Sequence, residues 1–211
     1  MNEVYVVQDR GRVLLQGTRD GYAAHRLQTF SRRESPDLTL TIRLCVPSDL
    51  EAVMAMQRRV VARITDPLLY VETPREEVVE SLEQDICLGA FDGERLAGFT
   101  MLLALRDTDR CLSRYLDYPE YYRRRCTTND GTWVDPDYQG YGLQYWFSRA
   151  KDRIAAGMGA SELLACVAPH NHASRRSLVK NGYAVVGQRV LYGYYPRMIL
   201  SKKLPAARQE T

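Results

Sequence analysis

Residues 134–144 read Val134-Asp135-Pro136-Asp137-Tyr138-Gln139-Gly140-Tyr141-Gly142-Leu143-Gln144. A β-prone run, Thr127–Val134, breaks at Pro136, and the chain then turns through two glycines. Leu143, Trp146, Phe147, Ala150 and Ile154 follow at the three- and four-residue spacing of an amphipathic helix, which Gly157 and Gly159 terminate. The glycines let the backbone approach a ligand closely. The first turn of the helix leaves its N–H groups without partners, and with the helix dipole these favour a phosphate anion. A Gly-x-Gly at such a turn is, taken alone, more often turn geometry than a ligand cradle. Neither a P-loop nor a dinucleotide fingerprint is present: no Gly-Lys-Ser/Thr follows, and the third glycine is missing.

Downstream, Leu163–Val167 reads as a buried strand. The segment Asn171-His172-Ala173-Ser174-Arg175-Arg176-Ser177-Leu178-Val179-Lys180-Asn181-Gly182-Tyr183 reads as a short helix, capped by Asn171 and stopped at Gly182. Tyr183–Gly187, Val190–Tyr195 and Met198–Leu200 supply closing strands. Upstream, Leu38, Leu40, Ile42 and Leu44 alternate with polar residues as a strand does. Pro47-Ser48-Asp49 reads as a helix start, with Ser48 as N-cap and Glu51 completing a capping box; the helix runs to Ile64. A second helix spans about Pro74 to Gln84. Ile86–Phe91 and Arg95–Leu105 are strands joined by an Asp92-Gly93 turn. The order β-α-α-β-β-β-α-β-α-β-β predicts an α/β (α+β) sandwich on a mixed, mostly antiparallel sheet.

Before Leu38 the pattern changes. Val4–Val7 and Val13–Gln16 flank Asp9-Arg10-Gly11-Arg12 as a hairpin would, and the polar stretch Thr29–Asp37 reads as a linker. The division expected is an N-terminal extension over 1–38, one domain over 39–204 and a flexible tail over 205–211. With 211 residues, 45% apolar and 26% charged, the chain has the composition of an ordinary globular protein. A net charge of +3 is too slight for the basic footprint of a nucleic-acid binder. No apolar run reaches the roughly 20 residues of a membrane span, and Met1-Asn2-Glu3 opens no secretory signal. Five cysteines, none in a CxxC pair, and three histidines point to a reduced, cytoplasmic chain with no disulfide framework and no metal centre.

The two segments taken together resemble the GNAT superfamily of acyl-CoA N-acyltransferases. The resemblance rests on the strand–Pro-x-x-Gln-Gly-x-Gly–helix unit, a strand, and then Asn-x-x-Ser-x-x-x-Leu-x-Lys-x-Gly-Tyr, and it spans roughly residues 38–204. It implies that Gln139, Gly140, Tyr141, Gly142, Leu143 and Gln144 form the loop for the pyrophosphate of acetyl-CoA. Gln144 stands where the family carries a small residue; a register over Asp137–Gly142 restores the glycine but loses the leading Gln/Arg. It further implies that Trp133 and Val134 pair with the pantetheine arm, a backbone N–H near Val134 polarising the thioester carbonyl, and that Asn171 and Ser174 contact the cofactor. The position where many members have a proton-donating tyrosine is Leu178. Tyr192, Tyr194, Tyr195 and Tyr183 are the candidates for a displaced phenol, against the commoner role of such a tyrosine as a packing residue with a solvent-seeking hydroxyl.

The implied activity is transfer of an acetyl group to a primary amine of a small molecule or peptide, without a covalent intermediate. An alkyl ammonium has a pKa of about 10, so a base must take a proton before or during attack. Asp130, Glu120 and Asp117 are the candidates, Asp130 ahead of the others, and Tyr192 is the candidate acid. Cys126 and Cys166 have no His–carboxylate partner in the sequence and read as buried hydrophobes. Leu178 motivates a second reading, a non-catalytic acyl-CoA-binding regulatory module, and a third is an interaction domain with a degenerate cleft. The stretch 114–125, rich in Arg and Tyr, reads as a solvated loop or a substrate-facing lid. Either a monomer or a homodimer fits.

Overall fold

The computed structural model describes residues 4–9, 12–18, 26–32 and 35–205, with side chains from Gln28 onward. Strands β1 (Val4–Asp9) and β2 (Arg12–Thr18) pair antiparallel, the hairpin expected there, with Arg10 and Gly11 of its turn outside the described residues. The other eight strands form one sheet: β3 (Arg26–Phe30), β4 (Leu38–Leu44), β5 (Ile86–Asp92), β6 (Arg95–Leu102), β7 (Cys126–Val134), β8 (Glu162–Val167), β9 (Ala184–Leu191) and β10 (Tyr195–Lys203). Their spatial order is β3-β4-β5-β6-β7-β8-β10-β9, antiparallel throughout except between β7 and β8. This is the mixed α/β sandwich expected. Strand β3 had no counterpart in the sequence reading: Thr29 and Phe30 end an edge strand and do not begin a linker, and Phe30 is buried in the core.

Helices α1 (Leu50–Val61) and α2 (Arg75–Gln84) cover one face, their Val53, Met56, Val78 and Leu82 packing on Cys87, Phe91, Phe99 and Trp133. Helices α4 (Leu143–Gly157) and α5 (His172–Lys180) cover the other, where Phe147, Ile154 and Leu178 meet Leu40, Leu88, Leu163, Ala165 and Met198. A single helical turn, α3 (Glu120–Arg123), precedes β7. The residues that alternate along β8 divide between the two faces: Leu163, Ala165 and Val167 face α4 and α5, while Leu164 and Cys166 face the 103–123 connection.

Three local readings are corrected. Helix α1 begins after a 3₁₀ turn over Pro47–Asp49, so Ser48 is not its N-cap, and Glu51 pairs with Arg75 instead of closing a capping box. Asp49 takes that work: it accepts from the Val46 amide at 2.9 Å and from Arg43 at 2.7 Å through each oxygen, an arginine–carboxylate fork that outcompetes a hydroxyl cap. The helix ends at Val61, short of Ile64. The closing strands are two, because Val190 continues β9 and the break falls at Tyr192 (φ 54°) and Gly193 (φ 88°).

Candidate active site

Pairing between β7 and β8 runs only from Cys126 opposite Glu162 to Thr128 opposite Leu164, yet both strands continue. Beyond that point they part. The cause lies in β7, where the register to β6 jumps from Thr100–Thr132 to Leu102–Asn129, a bulge centred on Asp130 and Gly131. A bulge bends its strand and raises its twist, and here it carries β7 away from β8. Lys151 of α4 reaches into the bulge, with Nζ donating to the carbonyls of Asp130 (3.3 Å) and Met101 (3.2 Å) and to Thr132 Oγ1 (3.0 Å). The ammonium is fully buried with no carboxylate partner among the described residues, and burial pushes its pKa down to about 7. Tyr183 closes the base of the gap: its ring is in the core, and its hydroxyl accepts from Asn129 Nδ2 at 3.1 Å.

Above the bulge the Asp135 amide donates to Ala97 O across to β6 at 3.0 Å. The two-residue alternation of a strand therefore turns the Val134 and Thr132 peptide groups to the opposite edge, toward the gap. The side chain of Trp133 takes no part there, since it is buried against Phe99, centroids 5.2 Å apart. What β7 offers the gap is backbone.

The chain then enters the glycine loop. Asp135, only 1% exposed, is held by Arg59 of α1 at 2.8 Å and Arg95 of β6 at 3.0 Å, and it accepts from the Asp137 amide at 3.1 Å. That backbone bond and the two guanidiniums hold its carboxyl below the usual range despite burial. Gly140 (φ 87°) and Gly142 (φ 80°) are left-handed, a conformation that L side chains resist, and Gly142 is the residue before α4. A Cβ on Gly142 would meet nothing within 4 Å, so the face it borders is open. The amides of Gly140, Tyr141 and Gly142 find no acceptor among the described residues, and Leu143, Gln144 and Tyr145 are the first three residues of α4, whose amides have no intrahelical partner. Gln139 and Gln144 are exposed, and Leu143 is buried as the helix's first core residue.

Arg32, from the stretch read as linker, lies over this loop. It donates to Gln139 O at 3.1 Å, stands 5.8 Å from the Tyr141 ring, and its Nε is 3.1 Å from where a Gly140 Cβ would be. Sequence reasoning missed it, and also Arg59 and Arg95, because nothing local links them to partners 107, 76 and 40 positions away. On the neighbouring helix, Asn171 is the cap expected, accepting from the Ser174 amide at 3.0 Å. Helices α4 and α5 each follow one strand of the one parallel pair, and such strand-to-helix ends are where open α/β sheets present helix N-termini to a ligand.

The catalytic candidates are distributed unevenly. Asp130 sits at the bulge on the face of α1 and α2, its Oδ2 bonded by Arg110 at 2.7 Å, and the same guanidinium donates to Ser81 of α2 at 2.8 Å. Tyr192 places its hydroxyl 3.3 Å from Cys166 Sγ, on that same side of the gap, and burial of the hydroxyl raises its pKa. Glu120 lies elsewhere. It is exposed and paired with Arg124, in the turn whose Tyr122 bonds Glu162 at the far, closed end of β7 and β8. Asp117 is exposed in the same connection. Arg114 is paired with Asp107 and Asp109, and Tyr118 and Tyr122 donate to Glu162, so stretch 114–125 packs on the start of these strands. Leu178, where a tyrosine was looked for, is a core residue. Burial pushes the thiol of Cys126 up to about 12 and raises that of Cys166. No cluster of three or more metal-ligating side chains occurs among the described residues, and none of their helices is long and apolar enough to cross a membrane.

The acetyltransferase (GNAT) domain model matches residues 39–184. The chain belongs to the GNAT acetyltransferases. This GNAT chain is thereby placed among acyl-CoA-dependent N-acyltransferases. Its fold is shared with the ribosomal-protein-S18-alanine N-acetyltransferase of Escherichia coli, at a TM-score of 0.61 and 17% identity over 82% of this chain and 98% of that one. It is shared also with yncA of Salmonella typhimurium, whose structure holds its cofactor acetyl-CoA (0.59, 18%, 79% and 94%). A phosphinothricin acetyltransferase of Sinorhizobium meliloti in complex with acetyl-CoA is a third (0.60, 15%, 79% and 89%). No curated protein sequence matches the GNAT chain significantly.

Proposed function

We propose that the protein transfers the acetyl group of acetyl-CoA to a primary amine of a small molecule or peptide, by direct attack and without a covalent enzyme intermediate. The observation that carries this reading is the gap between β7 and β8, lined by free peptide groups of β7 and ending in a loop of open amides. The residues present fit a diphosphate. Gly142 leaves room where a Cβ would stand, unpaired N–H groups face it, and Arg32 adds a cation beside Gly140.

Gly140, Tyr141, Gly142, Leu143 and Gln144 would bind the phosphates, assisted by Gln139 and Arg32, while the α5 start at Asn171 and Ser174 borders the cofactor. Acetyl-CoA, when bound, supplies an activated thioester. The strand edge at Trp133 and Val134 would hold the arm in the gap, and the Val134 N–H would meet the charge that develops on the carbonyl oxygen, a contact worth about 3 kcal/mol where such donors have been removed. Asp130 has Oδ1 free of any described partner and would take the proton from the amine, directly or through a water. Tyr192, whose hydroxyl stands beside Cys166 on the same side of the gap as Asp130, would return a proton to the departing thiolate.

Incubating the full chain with acetyl-CoA and a panel of amines, with thiol release and product mass as readouts, tests the reading. Amine-dependent release of free CoA with a 42-dalton gain on the amine is expected; tight acetyl-CoA binding with no release for any amine would sink catalysis.

A further inference from the structure

Arg197 is the residue that no element of this scheme uses. It lies on β10 and is 4% exposed. Its register neighbour Met198 stands opposite Val167 of β8 and points into the α4–α5 core. Arg197 therefore faces the other side, where the gap opens toward α1 and α2. The contacts agree: Nη1 donates to Leu68 O of the α1–α2 connection at 3.1 Å and to Pro196 O at 2.8 Å. The guanidinium carbon is 5.9 Å from the Tyr192 ring centroid and 5.3 Å from that of Tyr195. Tyr192 in turn touches Cys166. Arg197 is thus on the same side of the gap as Asp130 and the candidate acid.

Its charge is unmatched. The buried carboxylates Asp85, Asp135, Asp152 and Glu162 all have cationic partners, but no carboxylate lies within ion-pair range of Arg197 among the described residues. A buried cation held by neutral groups alone is costly. One nitrogen of three is engaged. Nε and Nη2 donate to no described residue, and neither is sealed from solvent. These two nitrogens form the side-on fork of the guanidinium, two parallel N–H groups that match the oxygens of a carboxylate. The Tyr192 and Tyr195 rings lie within cation–π reach of the guanidinium and restrict where it can turn.

We propose that Arg197 binds a carboxylate carried by the acceptor, so that the substrates are amines bearing a carboxylate, such as free amino acids. This rests on the acetyl-transfer reading and names its substrate class. The carboxylate on Arg197 would orient the molecule with its amine toward Asp130 and the gap.

The test compares amino acids with their carboxamides as acceptors for the full chain, reading thiol release, with acetyl-CoA affinity measured separately. The wild type is expected to favour the acids at least tenfold in kcat/KM. R197Q should abolish that preference by raising KM for the acids, with the acetyl-CoA Kd unchanged, and R197K should recover part of it. Equal use of acid and carboxamide by the wild type would overturn the proposal, with no variant needed. So would an equal loss on both in a folded R197Q, or a wild type that binds acetyl-CoA but acetylates no carboxylate-bearing amine. Failure to bind acetyl-CoA at all overturns the acetyl-transfer reading itself, and this proposal with it.

Discussion

Gly142 does two jobs that no other residue can combine. Its φ of 80° places it where a side chain is strained, and it leaves open the surface that the loop amides face. Gly142→Val should therefore weaken acetyl-CoA binding by tenfold or more while costing about 1–3 kcal/mol of stability from backbone strain. Titration calorimetry on the folded fraction measures the first and urea unfolding the second; unchanged affinity would remove the loop from the cofactor site. Asp130 is testable separately, because Asp130→Asn keeps its size and loses its basicity. A kcat fall of roughly 10²–10⁴ is expected for a general base, with the acetyl-CoA Kd unchanged. Lys151 answers to pH. Its folded pKa of about 7 lies below the roughly 10.4 of an unfolded lysine, so between those values the unfolded chain holds a proton that the native one lacks. Stability then rises with pH by about 1.4 kcal/mol per unit across that window, and its penalty is complete below pH 7. Lys151→Met deletes that slope. Urea unfolding of both proteins at pH 6.5, 8 and 9.5 should show the wild type gaining on the variant as pH rises.

At the scale of elements, the loop between β7 and α4 is aimed by its anchorage as much as by its glycines. Asp135 ties the loop to α1 through Arg59 and to β6 through Arg95, and Arg95 also reaches Asp137 at 2.6 Å. The carboxyl titrates below its unfolded value, so its contribution is present above about pH 4 and lost as pH falls through the folded pKa. Both guanidiniums are nearly half exposed, which limits the loss in Asp135→Asn to about 1–2 kcal/mol at neutral pH. Two consequences are expected: a several-fold weaker acetyl-CoA Kd, and a shallower stability loss between pH 5 and 3 than in the wild type. Parallel titrations by fluorescence would show both. Helix periodicity made α1, α2, α4 and α5 legible in the chain, and the cap at Asn171 and the glycine turn before α4 were legible because capping and turn chemistry are local. The 3₁₀ turn before α1 was not, since Arg43 reaches Asp49 from the preceding strand and removes the reason for a hydroxyl cap.

Across the whole molecule, Glu162 is the counterweight to the open end. It is fully buried where β7, β8 and β10 meet, and it accepts from Tyr118 and Tyr122 at 2.9 Å each, from Lys203 at 2.7 Å and from Ser201. The 103–123 connection is thereby fastened to the paired end of the strands that part further on. Glu162→Gln turns acceptors into an amide that four donors cannot all satisfy, and a loss of about 1–3 kcal/mol is expected in chemical denaturation. A variant as stable as the wild type would show that this cluster does not hold the closed end.

The sequence by itself determined the α/β order, the glycine turn into a helix and the family, because turn chemistry, capping and hydrophobic period act over a few residues. Only the tertiary structure decided which side chains share a site. Arg32 lies over Gly140, Arg59 and Arg95 meet on Asp135, Lys151 fills the bulge of β7, and Arg197 of β10 reaches the α1–α2 connection, while Glu120 is carried to the closed end. Each of those placements depends on strand order and on one bulge, and both arise from packing among segments far apart in the chain.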